Sequence, residues 1–210
     1  MTGLLKRNNN MEELIKNAKQ MTINPFMERA LINFEKLGLP TKKNEQWKYT
    51  NIIPLFEKNN SLTKSSPFEF DFSKYILGQY QMVFKNGQFQ ESLSRLPQGV
   101  KVELQSPDNS IENLNSLELF NYAVTDSEVV IEVAAKTIIK EPITILHLQN
   151  EEVTNKTLSP RIRCTVGEFS QVAFYETFRH SCKENLSYTT NGLIKFQVKE
   201  NAKVEHVKAQ

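Results

Sequence analysis

Cysteine is scarce in this chain: Cys164 and Cys182 are the only two in 210 residues. That is too few for a disulfide framework, and it fits a reducing compartment, so the cytoplasm is the expected location. Cys164 alternates with Ile162 and Val166 and reads as a small buried hydrophobe. Glycine is also sparse, at seven residues, and none of them forms G-x-x-x-x-G-K-[ST] or G-x-G-x-x-G. The phosphate-cradling loops of nucleotide-binding proteins are therefore excluded. No apolar run approaches the roughly 20 residues of a membrane span. The polar, Asn-rich stretch from Met1 to Asn10 lacks the apolar centre of a secretory signal. No membrane association is expected.

The formal net charge of +2 conceals an asymmetry. Residues 1–66 carry 11 Lys/Arg against 6 Asp/Glu, and residues 67–210 carry 15 against 18. A nucleic-acid surface would gather its cations into a stripe with stacking aromatics. Here Lys16, Lys19, Lys36, Lys42, Lys43 and Lys48 are spread through helical periods, which is the pattern of a solvated helix face. No nucleic-acid partner is expected.

What the chain does have is periodicity. From Met11 to Gly38 the apolar positions Leu14, Ala18, Met21, Phe26, Ala30, Leu31, Phe34 and Leu37 follow helical spacing. Pro25 suits a first helical position, and Gly38 suits a C-terminal cap with Pro40 close behind. Trp47 and Tyr49, followed by Ile52, Ile53 and Leu55, are expected to pack against that helix. Asn59–Pro67 reads as a polar linker. Asn86-Gly87 between alternating runs marks a hairpin over residues 80–93 with Phe84 facing Phe89. After a polar break at Gln105–Ser110, the residues Ile111, Leu114, Leu117 and Phe120 suggest a short amphipathic helix.

The last third carries a repeat. Val133 to Ile139, Val166 to Val172 and Val198 to Val204 share one pattern at offsets of 33 and 32 residues, and Ile131, Cys164 and Phe196 extend it upstream. Each copy opens with period-2 alternation, the signal of a half-buried strand, and a strand unit at fixed interval reads as the coil of a β-solenoid. The polar insertions Asn150–Thr157 and His180–Leu186 would stack along one edge. The expected fold is α+β: a helical region with a hairpin at residues 1–125, then the first coils of a parallel β-helix at 126–210. The third copy runs to Gln210 without a capping element, so the sequence reads as the first half of something longer. Its open edge would be available for self-association.

Catalytic signatures are missing. His180 and Cys182 stand two apart and supply half of a metal site at most, while His147 lies in a strand-like run without a neighbouring Cys. His206 alternates with Val204 and faces either way. No G-x-S-x-G or similar element supplies a nucleophile. Glu132, Glu168 and Glu200 occur once per copy at different positions, so no paired-acid face of a carbohydrate-active β-helix is evident. Direct iron or cluster binding through Cys164, His180, Cys182 and His206 is a further alternative. No catalytic, cofactor-binding or metal residue is assigned.

The run Gly38-Leu39-Pro40-Thr41-Lys42-Lys43-Asn44-Glu45-Gln46-Trp47-Lys48-Tyr49-Thr50 resembles the opening of SufD members of the SufB/SufD family, whose pattern is roughly G-L-P-T-x-K-x-E-x-W-[KR]-Y-T. Arg29, Ala30 and Phe34 upstream are similar to the preceding helix of that family. Asn86-Gly87 is similar to its hairpin. Pro142-Ile143, Pro160-Arg161 and Asn201-Ala202-Lys203-Val204-Glu205-His206 are similar to its solenoid positions. The resemblance implies a right-handed parallel β-helix and a non-enzymatic scaffold subunit in iron-sulfur cluster assembly and iron acquisition. The implied partners of the full-length form are SufB and the ATPase SufC, with no cofactor resident in this chain and the cluster handled by the assembled complex. The partner-binding elements of the family lie later in its chain, so none of its functional residues is carried onto this one.

Overall fold

Helix α1 (Asn9–Met21) and helix α2 (Pro25–Leu37) are separate elements in the computed structural model, which describes residues 9–62, 72–107, 112–181 and 186–210. The break between them is written in local chemistry. Asn24 is extended and its side chain accepts a hydrogen bond from the Met27 N–H at 2.9 Å, with Pro25 entering the first turn. At the other end Gly38 has φ +68° and donates its N–H to the Phe34 carbonyl at 2.7 Å. Helix α3 (Ile53–Lys58) and helix α4 (Ser116–Val124) complete the group.

Helix α4 begins later than the apolar spacing suggests. Ile111 lies outside the described residues, and Asn115 stops the helix from extending upstream by capping it. The Asn115 side chain accepts from the Leu117 and Glu118 N–H groups, and the Glu118 carboxylate accepts the Asn115 N–H at 2.8 Å. The four helices bury a shared core that includes Leu14, Met27, Phe34, Phe56 and Phe120. The Phe120 ring meets Phe34 at 4.9 Å and Phe56 edge-on at 5.7 Å between centroids.

The strands are β1 (Tyr80–Lys85), β2 (Gln88–Arg95), β3 (Val100–Gln105), β4 (Glu128–Val133), β5 (Ile143–Gln149), β6 (Thr157–Leu158), β7 (Arg161–Val166), β8 (Gln171–His180), β9 (Thr189–Thr190), β10 (Leu193–Val198) and β11 (Lys203–Ala209). They form a five-stranded sheet β11-β8-β5-β1-β2, a four-stranded sheet β10-β7-β4-β3 and a two-stranded sheet β6-β9. The pairs β4/β7, β7/β10, β5/β8, β8/β11, β6/β9 and β1/β5 are all parallel. The fold is thus a mixed α/β architecture whose sheets are mainly parallel, with β1/β2 and β3/β4 the antiparallel pairs.

The sequence repeat is the register of those sheets. Val133 pairs with Val166 and Val166 with Val198, while Ile131, Cys164 and Phe196 align in the same way and Val172 aligns with Val204. All of these side chains except the exposed Val198 meet in a second core with Met82, Phe84, Ile143, Ile145 and Phe174. The corners between successive strands stack as well. Lys136, Phe169 and Asn201 have φ of 60°, 57° and 54°, and the Lys136 and Phe169 N–H groups donate to the Glu168 and Glu200 carbonyls. Along the opposite corner Asn155 N–H donates to Ser187 O at 2.7 Å, ahead of the β6/β9 pair. The first polar insertion thus reaches the residues just after the second, at Ser187 and Thr189; residues 182–185 of the second lie outside the described set.

Two strands extend the sheets in ways the repeat did not announce. The hairpin β1–β2, grouped by sequence with residues 1–125, joins the five-stranded sheet because β1 pairs in parallel with β5, Phe84 opposite His147. Its turn has positive φ at Asn86 (46°) and Gly87 (81°), as a two-residue hairpin turn requires, and Phe84 faces Phe89 at 5.6 Å. Asn86 also donates from Nδ2 to Asn150 Oδ1 at 2.7 Å inside the protein. Gly87→Ala is expected to cost about 1–2 kcal/mol, because the left-handed backbone then carries a Cβ. That Cβ would also lie 3.4 Å from Leu158. A urea midpoint indistinguishable from the parent would contradict this.

Helices and sheets meet at Arg161. Its guanidinium is buried, lies 4.1 Å over the Tyr122 ring and donates from Nη2 to the Thr125 carbonyl. A cation on an aromatic face retains electrostatic stabilisation where water is excluded. Arg163 from the same strand pairs with the buried Glu128 carboxylate.

Candidate functional site

Along β5 the residues Ile143, Ile145 and His147 share one face by the period-2 rule, and that face points into the sheet core. His147 is 1% exposed. Its ring is sandwiched between Phe84, at 5.0 Å, and Phe178, at 4.4 Å and nearly parallel (7°). The three residues stand in register on β1, β5 and β8. A ring stack of this kind continues the apolar column with a group that can also hydrogen-bond at its edge.

That edge meets a buried carboxylate. His147 Nε2 lies 3.0 Å from Glu176 Oε1, while His206 Nε2 and Lys208 Nζ lie 3.2 and 3.6 Å from Oε2. Glu176 is 3% exposed, and the groups around it come from β5, β8 and β11. Burial lowers the pKa of His147, and the hydrogen bond and charge of Glu176 oppose this without reversing it. His147 Nδ1 is buried without a hydrogen-bond partner, so a second proton there would have nothing to donate to. Burial alone would raise the pKa of Glu176. The hydrogen bond from His147 and the positive charges around it outweigh that effect and hold the value below the usual carboxylate range. A neutral imidazole donating Nε2–H to an ionised carboxylate makes the one hydrogen bond the pair offers and leaves only a lone pair at Nδ1. The set is a polar clasp across three parallel strands.

The residues singled out by sequence are not brought together. Cys164 is fully buried in the apolar core, and desolvation raises its pKa to about 12. Such a thiol is unreactive. His180 is exposed at the end of β8, Cys182 lies outside the described residues, and His206 is engaged by Glu176. Among the described residues no group of three or more His, Cys, Asp or Glu side chains is arranged to hold a metal ion. Glu168 and Glu200, expected at different positions, in fact share one: each follows its aligned valine, Val166 or Val198, by two residues and is exposed at the corner. Glu132 alone differs, on β4 opposite Thr165. In a Cys182→Ser chain, Cys164 is expected to stay silent to a thiol-specific chromogenic reagent until denaturant is added. Full reaction under native conditions would place Cys164 at the surface.

A second constellation sits on the helical side. Residues Thr41–Thr50 form a hydrogen-bonded loop: the Asn44 side chain accepts the Thr41 N–H at 2.9 Å, and a short 3₁₀ turn spans Glu45–Trp47. In a three-residue turn, positions three apart share a face. Trp47 therefore leans half-buried on the helical core, whereas Tyr49, two residues on, is 91% exposed and does not pack as expected. Trp47 also borders a cleft of about 700 Å³, closed on its other sides by Leu37, Pro40, Asn115, Leu117 and Leu193.

The clasp has no local sequence signal, because its three residues become neighbours only through the sheet register. His147 and Glu176 each follow an apolar residue two positions back, Ile145 and Phe174, on strands with buried faces, and His206 follows Val204 in the same way. Among the described residues no helix is long and apolar enough to cross a membrane. No curated protein matches the sequence. A family model described as the SufBD protein N-terminal region matches residues 3–134, a span that takes in all four helices, the hairpin and the first strand of the repeat. The chain therefore belongs to the SufB/SufD family of iron-sulfur cluster assembly proteins.

Proposed function

We propose that this chain is a SufD-type scaffold subunit that acts by protein contact, together with SufB and the ATPase SufC, in iron-sulfur cluster assembly and iron acquisition. The observation that carries the reading is the coincidence of the Gly38–Thr50 run, which fills every fixed position of the SufD pattern, with a family match over residues 3–134. In this reading the parallel sheets are the first coils of a right-handed β-helix, supported by the 33- and 32-residue offsets and the stacked corners. The chemistry is that of a rigid support: the buried Glu176 carboxylate is held by the hydrogen bond from His147 and by the nearby Lys208 ammonium.

The proposal has a genetic and a biochemical test. Deleting the encoding gene is expected to lower the activity of a cluster-dependent dehydratase under iron limitation, and restoring it is expected to recover that activity. The purified chain alone is expected to hydrolyse neither ATP nor polysaccharide and to develop no iron-dependent absorbance, before or after Cys182→Ser. Unchanged dehydratase activity in the deletion would overturn the scaffold role. An iron-dependent absorbance lost in Cys182→Ser would favour direct metal binding instead.

A further inference from the structure

Asparagine followed by glycine is prone to spontaneous deamidation, because no side chain crowds the glycine nitrogen as it attacks the asparagine carboxamide. The chain has two such pairs, Asn86-Gly87 and Asn191-Gly192. The fold treats them differently. Asn86 is buried, and Asn150 holds its carboxamide at both ends: Oδ1 accepts the Asn150 N–H at 3.1 Å and Nδ2 donates to Asn150 Oδ1 at 2.7 Å. Asn191 is half-buried beside an exposed Gly192, and both line the cleft next to Trp47, where water reaches them. Asn191 Nδ2 donates to the Leu117 carbonyl at 2.9 Å, while its Oδ1 accepts no hydrogen bond among the described residues. The Gly192 N–H, the attacking group, likewise has no acceptor among the described residues.

We propose that Asn191 is a modification site of the native protein, converting without an enzyme to aspartate and isoaspartate, and that Asn86 is its protected counterpart. The Gly192 nitrogen loses its proton to hydroxide and bonds to Asn191 Cγ. The Cγ–Nδ2 bond then breaks, and ammonia leaves with a proton taken from water. A second water opens the cyclic imide at either carbonyl, so no oxidant or reductant takes part. The position matters because Asn191 ties helix α4 to the strands. Besides the bond to Leu117, Asn121 Nδ2 donates to the Asn191 main-chain carbonyl at 2.8 Å, and the Asn191 N–H donates to the Leu158 carbonyl at 2.7 Å. A carboxylate at 191 has no proton for Leu117 and sets an anion against that carbonyl oxygen. Isoaspartate also adds a methylene to the main chain and displaces the carbonyl that Asn121 uses. Conversion therefore loosens α4 from the strands. The inference stands on these contacts and does not depend on the scaffold reading above.

The whole chain would be incubated at mildly alkaline pH, both folded and in denaturing urea, and followed by peptide mass mapping with chromatographic separation of the isoaspartyl forms. In urea the two asparagines are expected to convert at similar rates, since each is followed by glycine. In the folded chain Asn191 is expected to convert at least about tenfold faster than Asn86, whose reaction waits on local opening. Gly192→Ala is expected to suppress conversion at 191 by crowding the attacking nitrogen. The fold accommodates that change, because the added Cβ meets nothing nearer than Pro160 Cγ at 3.6 Å. The comparison of folded and unfolded parent chain needs no variant. Protein converted at 191 is expected to melt below the parent. Equal conversion of the two asparagines in the folded chain, an unchanged rate at 191 in Gly192→Ala, or an unchanged melting midpoint after conversion would each overturn the proposal.

Discussion

Gly167→Ala is expected to lower the thermal midpoint by roughly 6–12 °C, a loss of about 3 kcal/mol for a chain of this size. The reason is space and not backbone conformation. A Cβ at Gly167 would lie 2.5 Å from the Ala135 amide nitrogen, 2.8 Å from its Cα and 2.9 Å from the Ala134 carbonyl carbon. Those are backbone atoms of the preceding strand corner, so no rotamer change relieves the overlap. The corner is itself pinned, because Gly167 N–H donates to the Val133 carbonyl at 2.9 Å and Lys136 N–H to Glu168. Separating the stacked corners would strain the register on which Val133, Val166 and Val198 depend. Gly78→Ala is the matched control, since its added Cβ meets nothing closer than Thr144 Oγ1 at 3.7 Å. Differential scanning calorimetry of the two variants decides the matter: equal midpoints would show that the corner accommodates a methyl group and that its packing is loose.

The repeat was legible because aligned apolar positions are a one-dimensional trace of parallel register: Ile131, Cys164 and Phe196 recur in sequence for the same reason that they pair in space. Local punctuation was equally readable at Pro25, Gly38 and Asn86-Gly87, where a single residue type fixes the backbone. Gly167 was not, since its counterparts in the neighbouring copies are Ala134 and Lys199, and the close approach that excludes a side chain exists only after folding. Strand β3 was missed although Val100, Val102 and Leu104 alternate cleanly with Lys101, Glu103 and Gln105. Its antiparallel pairing to β4 falls outside the repeat that drew attention to the later strands. Tyr49 was misplaced because large aromatics usually pack, and the 3₁₀ turn that rotates it outward has no strong sequence signature. The clasp was unreadable for a related reason: His147, Glu176 and His206 lie 29 and 30 positions apart, and only the sheet register makes them neighbours.

Glu176→Gln is expected to destabilise the chain by about 2 kcal/mol near neutral pH, because the hydrogen bond from His147 then ends on a neutral acceptor and the Lys208 ammonium loses its counter-charge. The amide oxygen still accepts from His147, but the amide nitrogen replaces an anionic oxygen beside His206 and Lys208. The same set gives stability a defined pH dependence. Both His147 and Glu176 have folded-state pKa values below their ordinary values of 6.5 and 4.5. The unfolded chain therefore holds protons that the folded chain refuses. The stability from each group is complete above its unfolded value and drains as pH falls through the folded one. The thermal midpoint should accordingly begin to fall below about pH 6.5 through His147, and fall further below about pH 4.5 through Glu176. His147→Phe keeps a ring between Phe84 and Phe178 and should flatten the first limb, whereas Glu176→Gln should remove its own share of the second. Midpoints measured from pH 8 to pH 4 test the sign directly. A parent midpoint that rose as pH dropped from 7 to 5, with that rise missing in His147→Phe, would mean that His147 is charged in the folded protein and that the clasp is an imidazolium–carboxylate pair.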